Sequence, residues 1–318
     1  MESELKVLVA SFCITVVLSL IIIPILRKLK VGQIERKEGP VSHLQKQGTP
    51  TMGGIIIAIT IIILGILLAT KINAIISLIL VSLGFGLIGC IDDLTKLRYQ
   101  NTKGISPSAK MLGLLVISVM YALVLTNNEK IGTQTLIPII NVYIDIPILI
   151  YIPFAICTML ATTNAINLTD GIDGLSTSVS MIIIACLTVI GIIKGETEVA
   201  LFGSLVSGAC LGFLMFNLHP AKVFMGDTGS LLLGGVIVSM ALYLKMPLLI
   251  IIIAIVPVLE TLSVIIQVAY FRKTGNRIFK MAPLHHHFEL SGWKESTVVS
   301  VFSLITLIAC IIGILIII

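Results

Sequence analysis

The chain is 318 residues long, 57% hydrophobic and only 12% charged, with a formal net charge of +5 and a mean hydropathy of +1.12. Soluble domains carry about 25% charged residues, so this composition excludes a soluble globular fold and gives no reason to expect a nucleic-acid partner. It describes a polytopic protein that spends most of its length in a bilayer.

A bilayer core takes about 20 apolar residues per helix. Ten runs qualify, over roughly 5–26, 52–70, 73–91, 109–126, 147–165, 176–193, 199–216, 229–244, 247–271 and 297–318. The first starts near Val7 and is long enough to span, so it reads as a membrane helix and not as a cleavable signal peptide. The expected architecture is a single all-α integral-membrane domain over 1–318. Between the fourth and fifth helices, Thr135–Pro138 and Val142–Ile146 have the alternation of two short strands, which predicts a small extracytoplasmic β-hairpin. Gly208-x-x-x-Gly212 offers a small-residue seam for a neighbouring helix. The six cysteines (Cys13, Cys90, Cys157, Cys186, Cys210 and Cys310) lie in or at the ends of apolar runs without a C-x-x-C pair, and read as small buried hydrophobes.

Basic residues set the orientation. Arg27, Lys28, Lys30, Arg36, Lys37, Lys46, Lys96, Arg98, Lys103, Lys110, Lys222, Arg272, Lys273, Arg277, Lys280 and Lys294 fall on one side, against Lys6, Lys71, Lys130, Lys194 and Lys245 on the other. This bias puts loops 27–51, 92–108, 166–175, 217–228 and 272–296 in the cytoplasm and both termini outside.

The same five loops hold acidic islands, which the basic bias does not explain. The most polar is Asn164-Ala-Ile-Asn167-Leu-Thr-Asp170-Gly-Ile-Asp173-Gly-Leu-Ser176, set between two nearly uncharged runs. Asp in hydrocarbon costs at least about 3 kcal/mol, so this stretch belongs at a membrane surface. Asp and Asn also suit turns and helix caps, which is its plain structural explanation. Asp92 and Asp93 close the third expected helix, where two acids oppose the helix dipole. Asp227, in Phe224-Met-Gly-Asp-Thr-Gly-Ser230, precedes the eighth helix and has the position of an N-cap, while its glycines would let a phosphate or hydrated metal approach. Several carboxylates held together need a counter-charge, from a metal ion or from lysines. His285-His286-His287 suggests zinc, but consecutive residues diverge on a helix and no cysteine partner accompanies them. Hydrogen bonding to phosphate or sugar suits them better. Glu260 is the one acid inside an expected helix, three residues after Pro257. A proton-coupled transporter is the rival such a residue raises; yet the polar islands lie on one face, whereas a transporter needs a midplane site. Gln267 falls two turns from Glu260 on the same face, which points to a structural or groove-lining role beside the proline kink.

Five segments together carry a resemblance: Gly39-Pro-Val-Ser-His-Leu-Gln-Lys46-Gln-Gly-Thr-Pro-Thr-Met-Gly-Gly54, the Asp92–Asp93 pair, Asn164 to Leu175, Met225-Gly-Asp-Thr-Gly-Ser230 and Pro283-Leu-His-His-His-Phe-Glu289. They resemble, in order and one per cytoplasmic loop, the phospho-N-acetylmuramoyl-pentapeptide transferases, within the superfamily of polyprenyl-phosphate, UDP-N-acetylhexosamine 1-phosphate transferases. Leu94 departs from the family, in which an aromatic residue is expected after the Asp pair. The resemblance implies transfer of phospho-MurNAc-pentapeptide from UDP-MurNAc-pentapeptide to undecaprenyl phosphate. Lipid I and UMP would be the products, Mg²⁺ the cofactor, and the cytoplasmic face of a bacterial plasma membrane the place. By resemblance, Asp227 is the Mg²⁺ ligand, and Asp92 and Asp93 activate the acceptor phosphate. Asn167, Asp170, Asp173 and Phe224 line the uridine end. Lys46, Lys110, Asn217, His285, His286 and His287 contact phosphates or sugar. A UDP-N-acetylglucosamine donor on the same lipid is the alternative; membrane lipid surrounds the protein, and a homodimer is an arrangement left open.

Overall fold

The computed structural model describes residues 2–29, 48–70, 72, 74–99 and 104–318. Among them run α1 (Glu2–Lys28), α2 (Gly54–Ala69), α3 (Ile75–Tyr99), α4 (Pro107–Thr126), β1 (Gln134–Ile137), β2 (Val142–Asp145), α5 (Ile148–Thr169) and α6 (Leu175–Lys194). After these come α7 (Thr197–Asn217), α8 (Gly226–Tyr243), a 3₁₀ turn (Pro247–Leu249), α9 (Ile250–Ile253), α10 (Ile255–Thr274), α11 (Leu284–Glu289) and α12 (Glu295–Ile317). Nine of the described helices are long and apolar enough to cross a membrane, and the 16-residue α2 is a shorter apolar tenth. The all-α polytopic expectation holds.

In lipid, apolar side chains gain nothing by leaving the bilayer, so close backbone approach and internal hydrogen bonds must hold helices together. The innermost helix is α8, whose residues Thr228–Tyr243 are all buried. Gly54 of α2 lies so close to Gly229 of α8 that a Cβ on Gly54 would overlap it. The Gly208/Gly212 seam on α7 receives α1: side chains there would strike the Leu8 and Phe12 carbonyls. Ser11 Oγ donates to the Leu205 carbonyl at 2.5 Å across the same contact, and Thr15 and Thr60 hydroxyls meet at 2.9 Å between α1 and α2. The outer helices expose Leu20, Leu67, Met120, Ile265 and Leu315, the belt that lipid tails cover.

Hydrogen bonds sort the loops into two ends. At one end, Arg27 reaches the Lys222 carbonyl, Gly53 and Gly54 donate to the Phe224 and Met225 carbonyls, and Glu295 accepts from Asp173 N. At the other, the hairpin is antiparallel, pairing Gln134 with Asp145 and Ile137 with Val142. Pro138–Asn141 forms its turn, with Asn141 in the left-handed region that Asn tolerates (φ 50°). Leu136 N donates to the Lys245 carbonyl at 2.7 Å, fixing β1 to the turn after α8.

Three boundaries differ from expectation in ways that matter for chemistry. The third helix continues to Tyr99, so Asp92 and Asp93 lie within it and Lys96 stands one turn beyond. The Asp93 carboxylate caps α8 instead of ending α3. The ninth expected helix is broken at Ala254 (φ −104°, ψ 34°). Pro257 has no N–H for the Ile253 carbonyl and its ring would crowd that carbonyl, so a continuous helix is disfavoured there. Finally, the histidine triplet forms a short helix, α11, docked back against α10.

Candidate active site

α3, α4, α5 and α8 bring their polar ends to one point. Oxygens of Asp92, Asp93 and Asp227 lie within 4.8 Å of one another. Close packing makes this possible: Gly89, one turn before Asp93, meets the Asp227 carbonyl where any Cβ would overlap it.

The three carboxylates are held differently. Asp93 is committed to the start of α8: its oxygens accept from Asp227 N (3.2 Å), Thr228 N (2.9 Å) and Thr228 Oγ1 (2.7 Å). It therefore caps a helix other than its own, satisfying amides that have no partner within α8. Asp227 is the second residue of α8, and the cap position belongs to Met225. The N-cap explanation of Asp227 is thereby removed. Its Oδ1 accepts from Asn167 Nδ2 at 3.0 Å, and its Oδ2 meets Lys110 Nζ at 2.6 Å and Lys96 Nζ at 2.9 Å. Asp92 accepts Ile105 N at 2.8 Å on one oxygen and pairs with Lys96 at 2.8 Å on the other. Asp92 and Asp93 side chains are 4% exposed against 20% for Asp227, which makes Asp227 the most approachable of the three.

Lys96 touches all three acids, since Asp93 also lies 3.7 Å away, yet sequence reading assigned it only to topology. The missed signal was its spacing. If α3 runs on past Asp93, a lysine at i+4 from Asp92 and i+3 from Asp93 faces both. Lys110, read as a phosphate contact, lies on Asp227 and 3.6 Å from Asp92. Lys46 lies outside the described residues.

The remaining candidates surround this centre. Asn167 donates to both Asp227 and Ser230 Oγ (2.8 Å) from the last turn of α5. One turn later Asp170 begins the Asp-Gly-Ile-Asp turn; burial, and then the Asp227 and Asp93 carboxylates, hold its carboxyl well above the usual range. Asp173 belongs to a second group: its Oδ2 meets His219 Nδ1 and Ala221 N, both at 3.0 Å, and His219 Nδ1 is also 3.3 Å from Glu295. His219 and Glu295 were not anticipated. Asn217 gives both ends of its amide to the protein, accepting from Thr177 Oγ1 at 2.7 Å and donating to the Val223 carbonyl at 2.9 Å, so it shapes loop 218–225. Phe224 is half-buried and its backbone pairs with Pro50 and Gly53.

The three histidines do different things. His285 is fully buried and faces Glu260, His286 Nδ1 lies 2.9 Å from Glu289, and His287 Nδ1 accepts Lys280 N at 3.1 Å. Their Nδ1 atoms are thus committed to three separate partners. The carboxylate cluster, in contrast, offers only hard oxygen donors with cationic neighbours, a set suited to Mg²⁺ beside phosphate.

Residues 75–245 match the family model for glycosyl transferase family 4, and residues 46–57 match a phospho-N-acetylmuramoyl-pentapeptide-transferase signature. The chain is 49% identical to the phospho-N-acetylmuramoyl-pentapeptide-transferase of Clostridium botulinum strain Alaska E43, over 97% of this chain and 95% of that one. It is 49% identical to the same-named protein of Clostridium kluyveri, over 93% of each chain. For Acetivibrio thermocellus the identity is 44%, over 96% of this chain and 93% of the relative. With α3 through α8 inside the matched region and the carboxylate–lysine cluster built from those helices, the chain belongs to the phospho-N-acetylmuramoyl-pentapeptide transferase family.

Proposed function

We propose that this protein transfers phospho-MurNAc-pentapeptide from UDP-MurNAc-pentapeptide to undecaprenyl phosphate, making lipid I and UMP for peptidoglycan synthesis. The observation that carries the reading is the junction of Asp92, Asp93 and Asp227 with Lys96 and Lys110 at one end of the bundle. Phosphoryl transfer asks chiefly for positioning and charge neutralisation, and this is a site made of little else. An oxygen of the lipid phosphate attacks the sugar-linked phosphorus, a new pyrophosphate bond forms, and UMP leaves with the electrons of the broken bond. Lys96 and Lys110 neutralise phosphate oxygens, Asp92 faces the acceptor, and Asp93 keeps the start of α8 in register. Mg²⁺, when bound, would be held by Asp227 with Asp92 nearby and would supply charge neutralisation on the pyrophosphate. Asn167 fixes the Asp227 carboxylate, and the Asp170–Asp173 turn with Phe224 receives the nucleotide end.

This face is assigned to the cytoplasm, where a soluble nucleotide donor and an inner-leaflet lipid phosphate meet; the basic bias of the five loops supports it. In a background without native cysteines, Lys130→Cys is expected to react with an impermeant thiol reagent in intact cells and Ser108→Cys only after lysis. The reverse pattern would invert the orientation.

The reaction is tested with purified protein, undecaprenyl phosphate and Mg²⁺, offering UDP-MurNAc-pentapeptide and UDP-N-acetylglucosamine separately and measuring UMP and lipid product. Turnover is expected with the muramoyl donor. Turnover with the N-acetylglucosamine donor alone would reject the assignment.

A further inference from the structure

Glu260 is buried in the second turn of α10, and its partners lie on α11. Its Oε2 accepts Leu284 N at 2.5 Å, its Oε1 accepts His285 N at 3.2 Å, and the same Oε1 stands 3.1 Å from His285 Nδ1. Two turns on, Gln267 accepts Ile278 N and Phe279 N and donates to the Phe279 carbonyl, all at 3.0 Å. One stripe of α10 thus holds the returning segment at two points. Gln267 binds only backbone and accounts for the path of the loop. Glu260 also binds a ring, and that has a chemical consequence.

Both Glu260 oxygens accept backbone N–H groups, and a carboxylate only accepts, so against an ionised Glu260 the contact to the ring is Nδ1–H donating. A neutral imidazole protonated on Nδ1 carries its lone pair on Nε2. That Nε2 is buried and has no hydrogen-bond partner. Gly171 lies directly before it: a Cβ there would overlap Nε2. Gly171 is the second residue of the Asp170–Asp173 turn, one turn of chain past Asn167, which holds Asp227. The ring also meets that of His286, tilted by 59°, at 4.1 Å between centroids.

We infer that Glu260 is a positioning residue: it holds His285 as the Nδ1–H tautomer and turns the Nε2 lone pair onto Gly171, so that the ring and its acceptor are fixed behind the Asp170–Asp173 turn that receives the nucleotide-sugar substrate. A carboxylate placed behind a functional histidine fixes its tautomer and direction in the way that outer-shell carboxylates do at other sites. This is why a membrane helix carries an acid at 260. The inference rests on the assignment of that turn to the donor substrate, but its first test does not.

Ring ¹⁵N spectra of histidine-labelled protein in nanodiscs, with His285→Ala to identify the resonances, read the tautomer without any substrate. Wild type is expected to show Nδ1–H, and Glu260→Gln a mixture of tautomers. An Nε2–H ring in wild type overturns the inference. In turnover assays Glu260→Gln is expected to lose about 10–100-fold, yet less than about twofold when added to His285→Ala, because it acts through that ring. Independent, multiplying losses would make Glu260 a purely structural cap. Should Glu260→Gln fail to fold, His285→Asn serves instead: its amide nitrogen keeps the donor to Glu260 and deletes Nε2. It is expected to be as impaired as His285→Ala, and near-normal turnover would overturn the proposal.

Discussion

Asp227→Asn is expected to abolish Mg²⁺-dependent turnover, by about 10³-fold or more, while the bundle stays folded. Asp227 Oδ2 lies between two ammonium groups, at 2.6 and 2.9 Å. An amide at that place cannot balance them, and its NH₂ would repel one. The substituted site has two carboxylates for two lysines and no anionic ligand at its most approachable point. Losing a metal's charge stabilisation costs several kcal/mol, and about 4 kcal/mol corresponds to about 10³-fold. Folding is spared because α8 is capped by Asp93, whose three bonds to Asp227 N and Thr228 survive the change. Thermal unfolding in detergent and a Mg²⁺ titration of turnover separate these claims. Near-normal turnover with an unchanged Mg²⁺ requirement would remove Asp227 from the metal site.

The sequence made the gathering of acids visible, because bilayer physics confines Asp92, Asp93, Asp170, Asp173 and Asp227 to helix ends and the basic bias places those ends together. It could not say which acid does what. Asp93 takes the capping role that the residues alone allowed for Asp227, which leaves Asp227 as the open carboxylate, since capping here crosses from α3 to α8 and no local pattern encodes that. Lys96 was hidden by a boundary error of eight residues: a span estimated from hydropathy stops at the first charges, whereas α3 continues to Tyr99 on bonds hydropathy does not see. The hairpin and the Gly208/Gly212 seam were legible because each depends on short-range spacing. The break at Ala254 was half legible: Pro257 announced a kink but not that α10 would offer Glu260 and Gln267 to a returning loop.

The second large effect is expected at Lys96. Lys96→Met keeps the length and apolar stem of the side chain and removes only the charge that touches Asp92, Asp93 and Asp227. Three acids are then left with Lys110 alone, which reaches Asp227 at 2.6 Å and Asp92 at 3.6 Å. Two consequences have opposite signs. Turnover should fall about 10²-fold, the scale on which a single preorganised charge-stabilising group acts, because the donor pyrophosphate meets a more negative site. Apparent Mg²⁺ affinity should rise if Asp227 is the ligand proposed above, since the ammonium sits on an Asp227 oxygen and its removal both frees that oxygen and deepens the negative potential. Half-saturating Mg²⁺ is measured from initial rates at saturating donor, with Lys110→Met alongside. If Lys96→Met raised the Mg²⁺ requirement instead, the lysine would be helping to assemble the carboxylates around the ion rather than competing with it. A loss confined to the donor KM would make it a substrate anchor alone. The expected pattern, slower turnover with tighter metal, is the one that follows if the lysine and the ion compete for the Asp227 carboxylate.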